Sequence, residues 1–307
     1  MAEAAKKYDV IIIGGGPAGL SAGIYTARDR LSTLLIESAL VGGQAANAER
    51  LDNYPGFPDG INGAELTALM HQQAEKYGME TITAEVTELE PKEKQNTVIT
   101  TEGNFNAGAV IIAGGCHRRK MNVPGEAEFG GRGVSYCATC DGAFFRDKEI
   151  AIVGGGNSAI AEALHLTRFA AKVTVIHRRD QLRATPVVQD KALASPKIDF
   201  RWDSVVEAIE GDTTVKSLKL RNVKTNEISS MAVTGVFVSI GVRPNTEYLK
   251  DIIPLNEASS IITGPDMETT VPGIYAAGDI REHSPRQVIV AAGDGAIAAI
   301  SAAKFLA

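Results

Sequence analysis

Residues 8–19 read Tyr-Asp-Val-Ile-Ile-Ile-Gly-Gly-Gly-Pro-Ala-Gly. Tyr8 to Ile13 is a β-branched run, the pattern of a strand buried in a parallel sheet. It feeds Gly14-Gly15-Gly16-Pro17-Ala18-Gly19, then an Ala- and Leu-rich helical stretch to about Arg28. A second strand follows over Leu31 to Ile36, with Glu37 at its end. Strand, G-x-G-x-x-G, helix, strand and acid in this register make a dinucleotide-binding unit. Gly14 permits the tight turn, Gly16 lets a pyrophosphate approach the backbone, and Gly19 lets the helix pack closely on the strand. The helix N-terminus offers free N–H groups and a positive dipole to phosphates. Glu37 can accept hydrogen bonds from ribose hydroxyls.

The pattern then repeats. Glu149 to Val153 reads as a strand, Gly154-Gly155-Gly156-Asn157-Ser158-Ala159 as the turn, Ile160 to Phe169 as a helix and Lys172 to Ile176 as the next strand. Where the first unit carries an acid, the second carries Arg178 and Arg179, with Arg183 about one helical turn further on. An acid would repel a ribose 2′-phosphate, whereas arginines pair with it. The spacing therefore predicts two dinucleotide sites, the second favouring NADP. Three solubilising surface arginines are the blander reading. His177 reads as a filler or an adenine contact rather than a catalyst.

Between the two units stands Cys137-Ala138-Thr139-Cys140, followed by Asp141. A disulfide closing so short a loop constrains little of the unfolded chain, so it is a poor staple. It suits redox chemistry instead, one thiolate attacking a disulfide while the other resolves the mixed intermediate. Half of a zinc site and two inert thiols are the alternatives. Zinc needs more ligands, and only Cys116 remains, with no His-x-x-x-His spacing among the five histidines.

Elsewhere, Asn62 to Tyr77 has helical spacing with a capping box at Asn62 and Glu65, and His71 reads as part of an amphipathic surface. Residues 81–113 read as strands. Pro124-Gly125 and Gly241 to Asn245 read as linkers. Residues 198–240 read as an antiparallel ribbon. Gly273 to Asp279 is a strand ending in Gly-Asp, and an Ala/Gly-rich helix runs from Arg286 to Leu306. The 307 residues are enough for about two domains. With 44% hydrophobic residues, a net charge of −6 and no long basic run, a nucleic-acid surface is not expected. The polar start and the short apolar run after it lack a signal or membrane-span pattern. Few cysteines point to a reducing cytoplasm.

Taken together, GGGPAG at 14–19, GGQ at 42–44, NYPGF at 53–57, GRGVSYCATCDGAFF at 131–145, GGGNSA at 154–159, HRRDQLR at 177–183, GVRPN at 241–245 and YAAGDI with RQV at 275–288 resemble the low-molecular-weight, bacterial-type thioredoxin reductases. The resemblance covers nearly the whole chain. It implies an α/β fold of two Rossmann-like domains. A discontinuous FAD domain, 1–119 and 245–307, is interrupted by an NADPH domain, 120–244, that carries the cysteine pair. It also implies a homodimer, and thioredoxin or a similar protein as partner, with no membrane. For FAD it implies Gly14, Gly16, Pro17, Ala18, Gly19, Glu37, Gly43, Gln44, Asn53, Ala113, Gly114, Asp279, Arg286, Gln287 and Val288. For NADPH it implies Gly155, Gly156, Asn157, Ser158, Ala159, His177, Arg178, Arg179 and Arg183. Cys140 would meet the flavin, Cys137 would attack the partner disulfide, and Asp141 would exchange protons with them. Arg132, Phe144 and Phe145 would dock thioredoxin, core packing being the alternative for the two Phe. The NADPH domain would rotate about hinges near Val123 to Gly125 and Arg243 to Thr246. The chain departs from the family at Ala161, usually an acid beside Glu162; at Ala45-Ala46-Asn47-Ala48, usually hydroxyl-rich; and at Cys116, read as a buried bystander. A FAD-dependent oxidase of small-molecule dithiols on the same fold is the nearest alternative, and the arginines argue against it. A dithiol-independent flavin reductase and a non-catalytic FAD-binding sensor are the others.

Overall fold

The computed structural model describes residues 6–48, 50–92 and 95–307. Met1 to Ala5, within the polar N-terminal segment, lie outside these, as do 93–94 in the stretch read as strands. The chain divides into two units, one of Met1–His117 with Arg243–Ala307 and one of Arg118–Val242.

In the first unit the chain runs β1 (Lys6–Ile13), α1 (Pro17–Arg28), β2 (Thr33–Glu37), α2 (Gly63–Lys76), β3 (Glu80–Thr83), β4 (Val86–Glu90), β5 (Asn96–Thr100) and β6 (Gly103–Ile112). It leaves through a short strand, β7 (Cys116–Arg118). The sheet order is β3-β2-β1-β6-β5-β4. Strands β3, β2, β1 and β6 are parallel, while β5 and β4 fold back as an antiparallel meander. Parallel strands covered on both faces should be apolar throughout. Val10, Ile11 and Ile12 of β1 and Val110, Ile111 and Ile112 of β6 are all fully buried. Asn62 caps α2, its side-chain oxygen accepting from the N–H groups of Ala64 and Glu65.

The second unit comprises β8 (Val134–Ser135), α3 (Ala138–Asp141), β9 (Glu149–Val153), α4 (Asn157–Leu166), β10 (Lys172–Ile176), α5 (Pro186–Leu193), β11 (Ile198–Arg201), β12 (Ser204–Gly211), β13 (Val215–Asn222), β14 (Ile228–Ala232) and β15 (Gly235–Val238). Its main sheet, β11-β10-β9-β15-β8, is parallel throughout. Only β12, β13 and β14 form the antiparallel ribbon. The expectation of a ribbon over 198–240 is therefore too wide, because β11 and β15 belong to the parallel sheet. Gly235 to Val238 is buried at every residue, which is the signature of an inner parallel strand rather than of a half-wet ribbon.

The chain returns through β16 (Val242–Pro244), which pairs with β7, so the two crossings run side by side. Then β17 (Ile274–Ala276) adds to β6 in parallel, and α6 (Val288–Leu306) closes the first unit. By length and composition α6 could cross a membrane. Its packing accounts for that apolarity otherwise. Ala291, Ala292, Ala298, Ala299 and Ala302 are buried, and a Cβ at Gly295 would collide with the Ala18 carbonyl of α1. Within this face Asp294 is also buried. It takes Arg281 in a two-pronged pair, 2.6 Å from Nε and 2.9 Å from Nη2, and accepts the Gly278 N–H at 3.1 Å. Removing one partner of such a pair strands the other charge in the interior. Asp294→Ala should cost about 3–5 kcal/mol, read as a lower urea midpoint, and Asp294→Ala with Arg281→Met should recover part of the loss.

Candidate functional site

In the first unit, parallel pairing brings the carboxyl ends of β1, β6 and β17 to one edge. The end of β1 is the turn Gly14–Gly19. Gly14 has φ +107°, and a Cβ there would lie 2.5 Å from the Ala113 carbonyl oxygen. At Gly19 a Cβ would collide with the Gly14 carbonyl, so the helix sits hard on the turn. Around Gly16 there is room instead: the nearest atom to a Cβ would be Gly43 Cα at 3.9 Å. Helix α1 starts there with no side chain capping it and Pro17 in its first turn, leaving backbone N–H groups for an anion. At the end of β2, Glu37 accepts from the N–H groups of Gly15 at 2.6 Å and Ala39 at 3.0 Å, which orients its carboxylate beside the turn.

The other first-unit residues gather around this edge. Ala113 continues β6, its N–H bonding the Ile13 carbonyl at 2.8 Å, and the Gly114 carbonyl accepts from Asn245 Nδ2 at 2.7 Å. Asp279 follows β17 and accepts from the Ser284 hydroxyl at 3.1 Å. Asn53 Nδ2 donates to Gln287 Oε1 at 3.0 Å, joining two residues 234 positions apart. Val288 packs against the core, while Gln44 and Arg286 are exposed. Cys116 is buried, its sulfur 4.0 Å from Asp279 Oδ2. A cradle of bare glycine backbone, an uncapped helix start and an acid at the next strand fit a dinucleotide.

The second unit repeats the device. Gly154 has φ +146°, and Gly155 has no space for a side chain because the His177 ring lies against it. A Cβ on Gly156 would meet nothing within 4 Å. Helix α4 likewise begins without a side-chain cap. His177 is buried, its Nε2 has no hydrogen-bond partner, and burial pulls its pKa down, so the ring is neutral. The loop after β10 is stitched to the turn: Arg183 N–H donates to the Gly155 carbonyl at 2.7 Å, and Thr185 N–H to Asn157 Oδ1 at 2.7 Å. Leu182 and Ala184 are buried in the core and anchor this loop. Arg178, Arg179 and Arg183 remain exposed, lining a depression of about 330 Å³ with Asp180, Asp203 and Lys224. Ser158 is exposed and Ala159 buried. This set fits a 2′-phosphorylated dinucleotide.

The same parallel sheet sends β8 to that edge, and β8 runs directly into Cys137. Cys137 and Cys140 form a disulfide, Cα–Cα 5.3 Å. The Cys140 N–H points at Cys137 Sγ, 3.2 Å away, a contact that favours a thiolate at Cys137 once the bond is reduced. Asp141 sits one residue on, half-buried. Burial raises its pKa above the ordinary 3.8, opposed by a 2.6 Å hydrogen bond from the Ser135 hydroxyl and by the charge of Arg118. Ser135 also accepts the Cys137 N–H at 3.1 Å, so one buried hydroxyl holds both the carboxyl and the cysteine turn. Nothing in a lone serine ahead of a cysteine marks that role in sequence. Phe145 is a core residue, edge-on to Phe237 at 5.2 Å, which removes it from the expected docking surface. Its neighbour Phe144 is exposed.

The family pattern for pyridine nucleotide-disulphide oxidoreductases matches residues 8–295. A thioredoxin reductase of Bacillus subtilis is 48% identical over 98% of this chain and 95% of its own length. One from Streptomyces coelicolor is 47% identical over 97% and 94%. The crystal structure of thioredoxin reductase from Streptococcus pyogenes, 46% identical, superposes with a TM-score of 0.93 over 99% of both chains. A glycine turn at the end of a parallel strand in each of two sheets, a Cys-x-x-Cys disulfide on the second, and likeness along nearly the full length lead to one conclusion: the chain belongs to the pyridine nucleotide-disulphide oxidoreductase family.

Proposed function

We propose that this chain is an NADPH-dependent thioredoxin reductase, its first unit holding FAD and its second NADPH. The observation that carries the reading is the shared edge of the second sheet, where a nucleotide turn with an arginine-lined depression accompanies a Cys-x-x-Cys disulfide beside the half-buried carboxyl of Asp141. The relatives' names support thioredoxin as the partner. When bound, NADPH would supply two electrons as hydride, and FAD would supply the two-electron redox chemistry between the nicotinamide and the disulfide.

The chain's own residues do the rest. Reduction of the Cys137–Cys140 bond consumes two electrons and two protons and yields two thiols. Cys137, favoured as thiolate by the Cys140 N–H, attacks one sulfur of the partner disulfide and forms a mixed disulfide. The partner's released sulfur takes a proton. Cys140 then attacks Cys137, re-forming the internal bond and freeing the partner dithiol. Asp141 is protonated more readily than an exposed aspartate, and it stands next to the cysteine turn to exchange protons with it. Ser135 keeps it facing the cysteine turn. Arg178, Arg179 and Arg183 bind a 2′-phosphate, and the Gly156 turn accepts the pyrophosphate. Exposed Ile289, Ile297, Ile300 and Phe305 along α6 support a homodimer.

Flavin-loaded protein mixed anaerobically with NADPH should bleach within seconds and then reduce thioredoxin. A protein that stays yellow is instead an oxidase or a sensor. Arg178→Ala with Arg179→Ala should raise KM for NADPH at least about tenfold and leave KM for NADH nearly unchanged; equal changes would refute the clamp. Asp141→Asn should slow thioredoxin reduction by about 10²-fold. Because the folded carboxyl has a raised pKa, it favours the fold below its ordinary 3.8 and opposes it once ionised. Asp141→Asn should therefore raise Tm at neutral pH, and the gain should shrink as pH falls through the raised pKa and be gone below 3.8.

A further inference from the structure

The arginine depression has a second wall. The β13–β14 turn, far along the chain from the HRRDQLR segment, folds over it. Asp203 N–H donates to the Arg179 carbonyl at 3.2 Å, and Val223 N–H donates to the Asp203 carbonyl at 2.6 Å. The Asn222 side chain then accepts the N–H groups of Lys224 and Thr225 at 2.9 and 3.0 Å, fixing the turn. From it Lys224 Nζ reaches Asp180 Oδ2 at 2.8 Å and Asp203 Oδ2 at 3.0 Å.

Those two carboxylates line the same depression as Arg178, Arg179 and Arg183. On their own they oppose an incoming phosphate and offer the arginines internal partners. Lys224 sits on both. With it the lining carries a net charge of +2, and without it +1. The pairs are exposed at Lys224 and Asp180, where such a bridge adds little to stability. Its electrostatic effect on a neighbouring dianion is the larger consequence.

We propose that Lys224 is a further specificity-determining residue of the nucleotide pocket, masking Asp180 and Asp203 so that the three arginines are left for a ribose 2′-phosphate. This rests on the reading of the second unit as an NADPH site.

The test uses 2′,5′-ADP and 5′-AMP, the adenosine ends of the two nucleotides without nicotinamide, titrated by calorimetry into flavin-loaded protein. Wild type should bind 2′,5′-ADP more tightly. Lys224→Ala should weaken 2′,5′-ADP about 3- to 10-fold and change 5′-AMP less than twofold, with the difference shrinking at high salt. Lys224→Arg should keep the preference, and Asp180→Asn placed in the Lys224→Ala background should restore part of it. An unchanged ratio of the two affinities in Lys224→Ala overturns the role of Lys224 while leaving the NADPH site standing. A wild type with no preference overturns the NADPH site itself.

Discussion

A parallel sheet delivers the carboxyl end of every strand to the same edge, and that constraint organises both halves of this molecule. In the second unit β9 ends in the glycine turn, β10 in the arginine loop and β8 in the cysteine turn. Three segments distant in sequence become neighbours along one edge without any long-range motif to join them. The glycines make the edge usable. Where a side chain would strike Ala113, the Gly14 carbonyl or the His177 ring, only hydrogen fits, and the bare backbone at Gly16 and Gly156 is what a phosphate can approach.

The cysteine turn shows how little polarity is needed to tune a reactive pair. Asp141 is held away from water, which disfavours its charge, while Ser135 and Arg118 pull the other way. The net effect is a carboxyl that takes up a proton more readily than an exposed aspartate. Buried polar groups elsewhere are locked. Glu126 accepts the N–H groups of Met121 and Asn122 and the Tyr136 hydroxyl, and Asp294 is committed to Arg281 and Gly278.

Much of this was legible in the residues. The strand–glycine turn–helix pattern stands twice in the sequence, with Glu37 after the first turn and Arg178 and Arg179 after the second. What escaped was whatever depended on pairing across distance. The apolar run at Gly235 to Val238 has the same composition whether it enters a ribbon or a parallel sheet, and only its two-sided burial decides. Ser135 carries no local pattern, since its importance comes from folding back on Asp141. Lys224 is one exposed lysine among many until the β13–β14 turn brings it over the arginine loop. Phe144 and Phe145 are adjacent and chemically identical, and only packing against Phe237 tells them apart.

The side-by-side strands β7 and β16 make the second unit an insertion whose ends nearly touch. Such an insertion adds little loop-closure entropy to its host, and it can complete its own sheet as soon as Val242 has left the ribosome. The host cannot. Its α1 face stays uncovered until α6, which follows the whole second unit in chain order, has been made, so during translation the guest domain can mature while its host still exposes apolar surface.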